Sequence, residues 1–297
     1  MCTALSIKVN DHYFGRNLDY EHDFGEKIVI TPRNYEFNFK NGEMLKRHYA
    51  IIGMGVLLNN YPLYFDATNE KGLSMAALNF LDDACYFESR ENKENITSYE
   101  LISWILSKCT TCLEAKGMIK NLNITNDSFT DAMPPSKLHW IISDKNNSLT
   151  IEQTKNGLNI YDNPFGVLTN SPSFNVHLEN YEKHSFDFIK NAQGKLKIPG
   201  DWSSESRFVK MSFLKNNVVF EDCENETISS FFHMLYSVYF INGVKKAPNG
   251  YKTTNYTSCC NSDKCIYYYT TYDNLCVKSV SLFNEDLDIK EIIAYEK

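Results

Sequence analysis

A chain of 297 residues with 30 basic and 37 acidic side chains, a net charge of −7, is long enough to bury one sizeable core. The acidic balance argues against a nucleic-acid partner, which needs a basic face, and no apolar run approaches the ~18 residues of a membrane span. The 19 Tyr and 19 Phe are spread along the whole chain and fit a strand-rich core with an apolar ligand cleft.

Met1–Asn10 shows no basic stretch leading into an apolar one, so a cytoplasmic protein is expected. The nine cysteines then read as thiols. Residues 2–9 alternate and, after a turn at Asn10-Asp11, meet His12–Leu18 in an opening hairpin. Lys27–Thr31, Tyr49–Leu58 and Gly72–Phe80 are further strand candidates. Ser98–Cys109 has helical apolar spacing with Ser98 as its N-cap, and Leu113–Leu122 follows as a second helix.

Leu138–Ser143 and Leu149–Thr154 flank a turn and predict a hairpin. Val176–Asn191, Glu205–Leu214 and Thr227–Phe240 predict helices, and Asn255–Cys259, Cys265–Tyr272 and Cys276–Leu282 predict closing strands. No linker and no fixed-period repeat divides the chain, so residues 1–297 are expected to form a single domain of helices packed on antiparallel sheets.

Familiar catalytic motifs are mostly missing. Gly53-Met54-Gly55 lacks the third glycine of a dinucleotide loop, and there is no phosphate loop, no zinc-protease pair and no serine elbow. His177 and His184 would stand about 10.5 Å apart along a helix, too far to share a metal. Cys109 and Cys112 have redox spacing but lie between two helices, and Cys259, Cys260, Cys265 and Cys276 have no ligand-like spacing. No metal and no cofactor is expected.

What remains is Cys2. Loss of Met1 would give it a thiol and a free α-amino group, and such an amine titrates near ~7.7–8.0. One residue can then serve as nucleophile and general base. Arg16 and Asp19 lie on the strand expected to pair with residues 2–9. Arg16 would favour the thiolate, and Asp19 could orient the amine.

Met1-Cys2-Thr3 together with Phe14-Gly15-Arg16-Asn17-Leu18-Asp19 resembles the choloylglycine hydrolases, N-terminal-nucleophile amidases that comprise bile salt hydrolases and penicillin V acylases. The likeness runs on through Asn69-Glu70-Lys71-Gly72-Leu73, Leu138-His139-Trp140, Gly166-Val167-Leu168-Thr169-Asn170-Ser171-Pro172, Ser206-Arg207-Phe208 and Tyr256-Thr257-Ser258-Cys259. The resemblance implies an α+β fold, the four-layer αββα sandwich. It also implies Cys2 as nucleophile, Arg16 and Asp19 beside it, Asn170 as an active-site amide, Asn79 completing an oxyanion hole, and Arg207 stabilising charge. Leu18, Phe24, Phe129 and Met133 are the implied walls of the substrate pocket.

Asn at position 79 tends to accompany bile salt hydrolases in this family, where many penicillin V acylases carry Tyr. The implied substrate is therefore a small-molecule N-acyl amide, a bile acid conjugated to glycine or taurine, with penicillin V or another N-acyl amide as the alternative. A non-enzymatic acyl-ligand binder with Met1 retained is the reading from a different class. The resemblance also implies a homo-oligomer. The stretch from Asn170 to Arg207 is shorter than in typical bile salt hydrolases, where a loop extends to a neighbouring subunit. A dimer or a loosened tetramer is therefore expected, and a stable tetramer by light scattering would contradict it.

Overall fold

A strand buried on both faces carries an unbroken apolar run, and this chain has several. In Lys27–Thr31, Ile28 and Ile30 join one core cluster while Val29 joins another. Ile51 and Ile52 divide the same way, as do Met75 and Ala76, and Ile141 and Ile142. Successive side chains leave a strand on opposite faces, so one sheet separates two cores. The computed structural model describes residues 1–188 and 197–297.

That sheet is antiparallel and has eight strands in the order Gly157–Asp162, Ser148–Thr154, Leu138–Ser143, Ser74–Asn79, Tyr61–Asn69, Ile51–Leu58, Lys27–Thr31 and Ile293–Glu296. A second antiparallel sheet orders Val167–Leu168, β1 (Cys2–Lys8), β2 (His12–Tyr20), Thr253–Asn261, Ile266–Thr271 and Lys278–Ser281. Helices α1 (Leu101–Leu106) and α2 (Cys112–Ile119) cover the outer face of the eight-stranded sheet. Helices α3 (Phe174–Phe188), α4 (Ser204–Asn217) and α5 (Glu224–Tyr236) form the layer beyond the six-stranded one. The result is the expected four-layer αββα sandwich.

Several boundaries differ from the sequence expectation. Helix α1 starts at Leu101, and its N-cap is Glu100, which makes no side-chain capping bond; Ser98 lies outside the helix. The Thr97 hydroxyl donates to Glu100 at 2.8 Å, so that carboxylate is already engaged. Helix α2 ends at Ile119, because Leu122–Thr125 pairs in parallel with Glu94–Thr97. Residues 189–191 of the expected helix Val176–Asn191 lie outside the described residues. Strands without a sequence expectation include Tyr61–Asn69, Gly157–Asp162 and the closing Ile293–Glu296, besides short ones such as Glu94–Thr97 and Val167–Leu168. Tyr61–Asn69 follows Ile51–Leu58 through Asn59-Asn60, both at positive φ, the two-residue hairpin geometry that asparagine tolerates.

The six-stranded sheet is drawn tight behind Gly15. A Cβ built there would lie 1.9 Å from the Ser258 carbonyl oxygen, so β2 can approach Thr253–Asn261 only with glycine at this position. Gly117, exposed in α2, meets nothing within 4 Å. Gly15→Ala should lower stability by about 1–3 kcal/mol or more, whereas Gly117→Ala should raise it by about 0.5–1 kcal/mol. Urea unfolding midpoints of the two variants check both signs.

Candidate active site

The β1–β2 ladder pairs Cys2 with Leu18, Thr3 with Asn17 and Ala4 with Arg16. Directly opposed residues share a face, so Cys2, Arg16 and Leu18 point into the space between the sheets. Thr3, Asn17 and Asp19 point to the helical side. There Asn17 Nδ2 donates to Leu235 O at 2.9 Å and Thr254 Oγ1 donates to Asp19 Oδ1 at 2.6 Å. Arg16 and Asp19 thus flank Cys2 from opposite sides of one strand.

Two side chains fix the Cys2 backbone. Its N–H donates to Asn170 Oδ1 at 2.7 Å, and Arg207 Nη1 donates to its carbonyl and to Thr3 Oγ1 at 2.6 Å. Arg207 Nη2 donates to the same Asn170 Oδ1 at 2.8 Å, closing the arrangement. Asn170 Nδ2 donates to the Asn79 carbonyl at 2.8 Å, tying Cys2 to the end of strand Ser74–Asn79 in the other sheet. Asn170 is held in turn by its N–H to Ser204 Oγ at 2.7 Å and by His177 Nε2 donating to its carbonyl at 2.8 Å. Helix α4 carries both Ser204 and Arg207, and Ser203 caps it by accepting from Ser206 N–H.

The charges around Cys2 are withdrawn from water: Arg16, Asp19, Asp66 and Arg207 are each at most 1% exposed. Burial pushes the Asp19 carboxyl up, against the N-terminal amine, Arg207, Thr254 and Arg16. Burial pulls the Arg207 guanidinium down, against Asp19 and Cys2. Burial would also pull Arg16 down, but Cys2, Tyr256, Asp66 and Asp19 hold it above its ordinary value. Asp66 accepts from Tyr256 at 2.5 Å, Tyr267 at 2.7 Å and Ser258 at 3.0 Å. Two polar atoms here are buried without a partner among the described residues, Arg16 Nη2 and Asp19 Oδ2. The Met1 amine donates to the Asp19 carbonyl, and burial pulls it down to about 5.

Cys2 opens on an apolar cavity of about 190 Å³. Leu18, Phe24, Phe129 and Met133 all line it, together with Arg16 and Asn79. Val56, Leu63, Phe65 and Tyr99 are among its other walls; they lie in strands or loops whose sequence carries no motif. Phe129 packs edge-on against Tyr99 at 5.2 Å, and Phe24 meets Phe65 at 5.5 Å. None of the described hydrogen bonds uses the side-chain amide of Asn79, which stands at the cavity wall beside Cys2. Cys109 and Cys112 are elsewhere, buried against α1 and α2, and burial pushes the Cys109 thiol up to about 12.

Residues 2–295 match the linear amide C–N hydrolases, choloylglycine hydrolase family. The chain belongs to this family. It is 45% identical to the bile salt hydrolase/transferase of Lactiplantibacillus plantarum, over 99% of this chain and 96% of that protein. The mutant C2A conjugated bile acid hydrolase from Clostridium perfringens superposes with a TM-score of 0.93 at 35% identity, covering 100% of this chain and 97% of that one. Penicillin V acylase from Agrobacterium tumefaciens shares the fold, with a TM-score of 0.84 at 19% identity over 99% and 91% of the two chains. Family membership makes the chain a hydrolase acting on linear amide C–N bonds.

Within this family fold, Asp66 is the buried residue that sequence reasoning missed. It takes three hydroxyl donors at once, and it stands with Cys2, Tyr256 and Asp19 among the groups that hold Arg16 above its ordinary value. Removing its carboxylate leaves three buried hydroxyls without their acceptor, at a cost of about 1–3 kcal/mol each. Asp66→Ala should lose stability on that scale in urea unfolding, while Tyr267→Phe, which removes one donor, should lose only about 0.5–1.5 kcal/mol.

Proposed function

We propose that this protein is an N-terminal cysteine amidase that hydrolyses glycine- or taurine-conjugated bile acids to free bile acid and amino acid. The observation that carries this reading is the placement of Cys2. Its thiol faces an apolar cavity beside Arg16, while its backbone nitrogen is held by Asn170 and the preceding Met1 amine meets Asp19. Similarity to bile salt hydrolases along the full chain supports the choice of acyl group.

In the proposed reaction, loss of Met1 frees the Cys2 amine. Burial pulls the Met1 amine down, and a Cys2 amine exposed at the same buried place would be favoured in its neutral form for the same reason. It takes the thiol proton as Sγ attacks the amide carbonyl. Arg16 stands beside the developing thiolate, and the orphaned Asp19 Oδ2 is an acceptor for the amine once it is charged. The Asn79 amide donates to the tetrahedral oxyanion, a contribution typically worth about 10²–10³ in rate. Collapse breaks the C–N bond, the protonated base returns its proton to the departing amine, and a thioester remains on Cys2. Water, deprotonated by the same amine, then releases the acid. Arg207 holds Asn170 and the Cys2 carbonyl throughout.

The test is release of glycine and taurine from cholate conjugates, run beside penicillin V, with the N-terminus checked by intact mass. Rapid release with Met1 absent is the expected result; turnover of penicillin V alone would move the acyl specificity to that substrate. Cys2→Ala should keep the circular dichroism of the parent and lose activity by about 10⁴-fold or more. Retained turnover would remove Cys2 from the mechanism.

A further inference from the structure

Asn79 lines a second cavity as well as the apolar one. This space, of about 270 Å³, is lined by Met1, Asn79, Asn170, Ser204, Lys245 and Lys252. The two cavities therefore meet at Asn79, one apolar and one carrying cations, with Cys2 on the apolar side and Met1 on the other. A substrate whose carbonyl sits at Cys2 and Asn79 has its acyl chain in the first cavity. Its amine portion falls in the second, where Met1 stands before it is removed.

The two lysines reach this cavity from the base of a two-residue hairpin. Lys246 pairs with Tyr251 and Ala247 with Gly250, and the Lys252 N–H donates to the Lys245 carbonyl at 2.9 Å, so the lysines face each other on the next rung. Like charges directly opposed across strands are destabilising. The Lys252 side chain is 14% exposed, its ammonium reaches Glu21 only at 4.0 Å, and it lies 5.5 Å over the Tyr20 ring. Lys245 is exposed and has no side-chain partner among the described residues. Two carboxylates also line the space. Glu205 lies in the first turn of α4, where the helix end favours its charge, and Asp82 is exposed to water. Neither lining carboxylate pairs with either lysine among the described contacts, so an anion entering this space would meet Lys245 without a side-chain partner and Lys252 paired only with Glu21, at 4.0 Å.

We propose that Lys245 and Lys252 form the subsite for the carboxylate or sulfonate carried by the leaving amine. This rests on the amidase reading above and narrows it: the preferred leaving group is an amino acid or aminosulfonate, and an amine without an acid group, such as an aminolactone, is disfavoured. The lysines touch the part of the substrate remote from the scissile bond, so they act mainly on KM.

The experiment uses the full chain with Cys2 exposed, as verified by mass, and two substrates sharing one acyl group: glycocholate and its neutral glycinamide counterpart. The wild type is expected to favour glycocholate in kcat/KM. Lys245→Gln with Lys252→Gln should cut that preference by about tenfold, chiefly through KM, as loss of charge-assisted bonds does. Raised salt should act in the same direction. Lys252→Arg keeps the charge over Tyr20 and should retain the preference, and Lys245→Gln alone, at an exposed site, should lower it with no change in unfolding midpoint. Equal losses on both substrates, or an unchanged ratio in the double variant, would overturn the subsite. A wild type that cleaves neither substrate would instead overturn the amidase reading beneath it.

Discussion

The pairing of β1 with β2 governs the site. Because Cys2 opposes Leu18 and Ala4 opposes Arg16, the thiol, the guanidinium and the cavity wall share one face. Residue 19 is an odd step from residue 16, so Asp19 must emerge on the other. A shift of one position in this ladder would exchange the two environments and put Asp19 against the thiol. The ladder is anchored from both ends. Arg207 grips the Cys2 carbonyl and Thr3, and Gly15 allows Thr253–Asn261 to press against β2.

Taking charges out of water at this scale costs several kcal/mol for each ion unless partners return it. The sandwich recovers part of that cost with fixed dipoles and counter-charges. Arg16 Nη1 donates to the carbonyls of Phe65 and Ala77, both in the opposite sheet. Asp66, from that same sheet, faces back towards Arg16 and takes hydroxyls from Tyr256, Ser258 and Tyr267 of the first. The inter-sheet space is thus bridged by hydrogen bonds of buried charged groups rather than by apolar packing alone. Burial drives Asp19 and Arg207 in opposite directions, each disfavouring its charged form, yet Asp19 is held by the N-terminal amine and Arg207, and Arg207 by Asp19 and Cys2. Such opposition in a cluster of buried titratable groups is common at functional sites.

Cys2, Arg16 and the hairpin that joins them were legible in the sequence because they are close along the chain and alternate cleanly. The walls of the apolar cavity were legible only through resemblance: Leu18, Phe24, Phe129 and Met133 are scattered and show no local pattern. Asp66 could not be read at all. Its strand, Tyr61–Asn69, contains Pro62, pairs with Ile51–Leu58 through a register shift at Met54/Gly55, and places a carboxylate where alternation predicts an ordinary interior residue. The Asn59-Asn60 turn was a usable signal for that hairpin. Elements buried on both faces, such as Ser74–Asn79, lose the alternation that reveals direction, and only the second sheet explains why both sets of side chains are apolar. The Ser98 cap failed for a different reason: Thr97 and Glu100 bond to each other first, and the helix begins later.

Under the proposed reaction, the division of space around Asn79 would give the substrate its direction. Its carbonyl is pinned by Asn170, the residue that also holds the Cys2 nitrogen, so the reacting atoms and the boundary between the cavities move together. The apolar cavity, at about 190 Å³, is smaller than the ~300–1,000 Å³ usual for small-molecule sites. A steroid-sized acyl group therefore enters only by displacing side chains at the rim. The rim offers the means, since Phe129 and Met133 sit on a short turn closed by bonds of 3.2 Å and 2.9 Å within residues 129–133, and Met133 is 40% exposed. Displacing this turn disturbs neither the β1–β2 ladder nor the Asp66 network. The acyl pocket can yield to the ligand while the groups around Cys2 stay fixed.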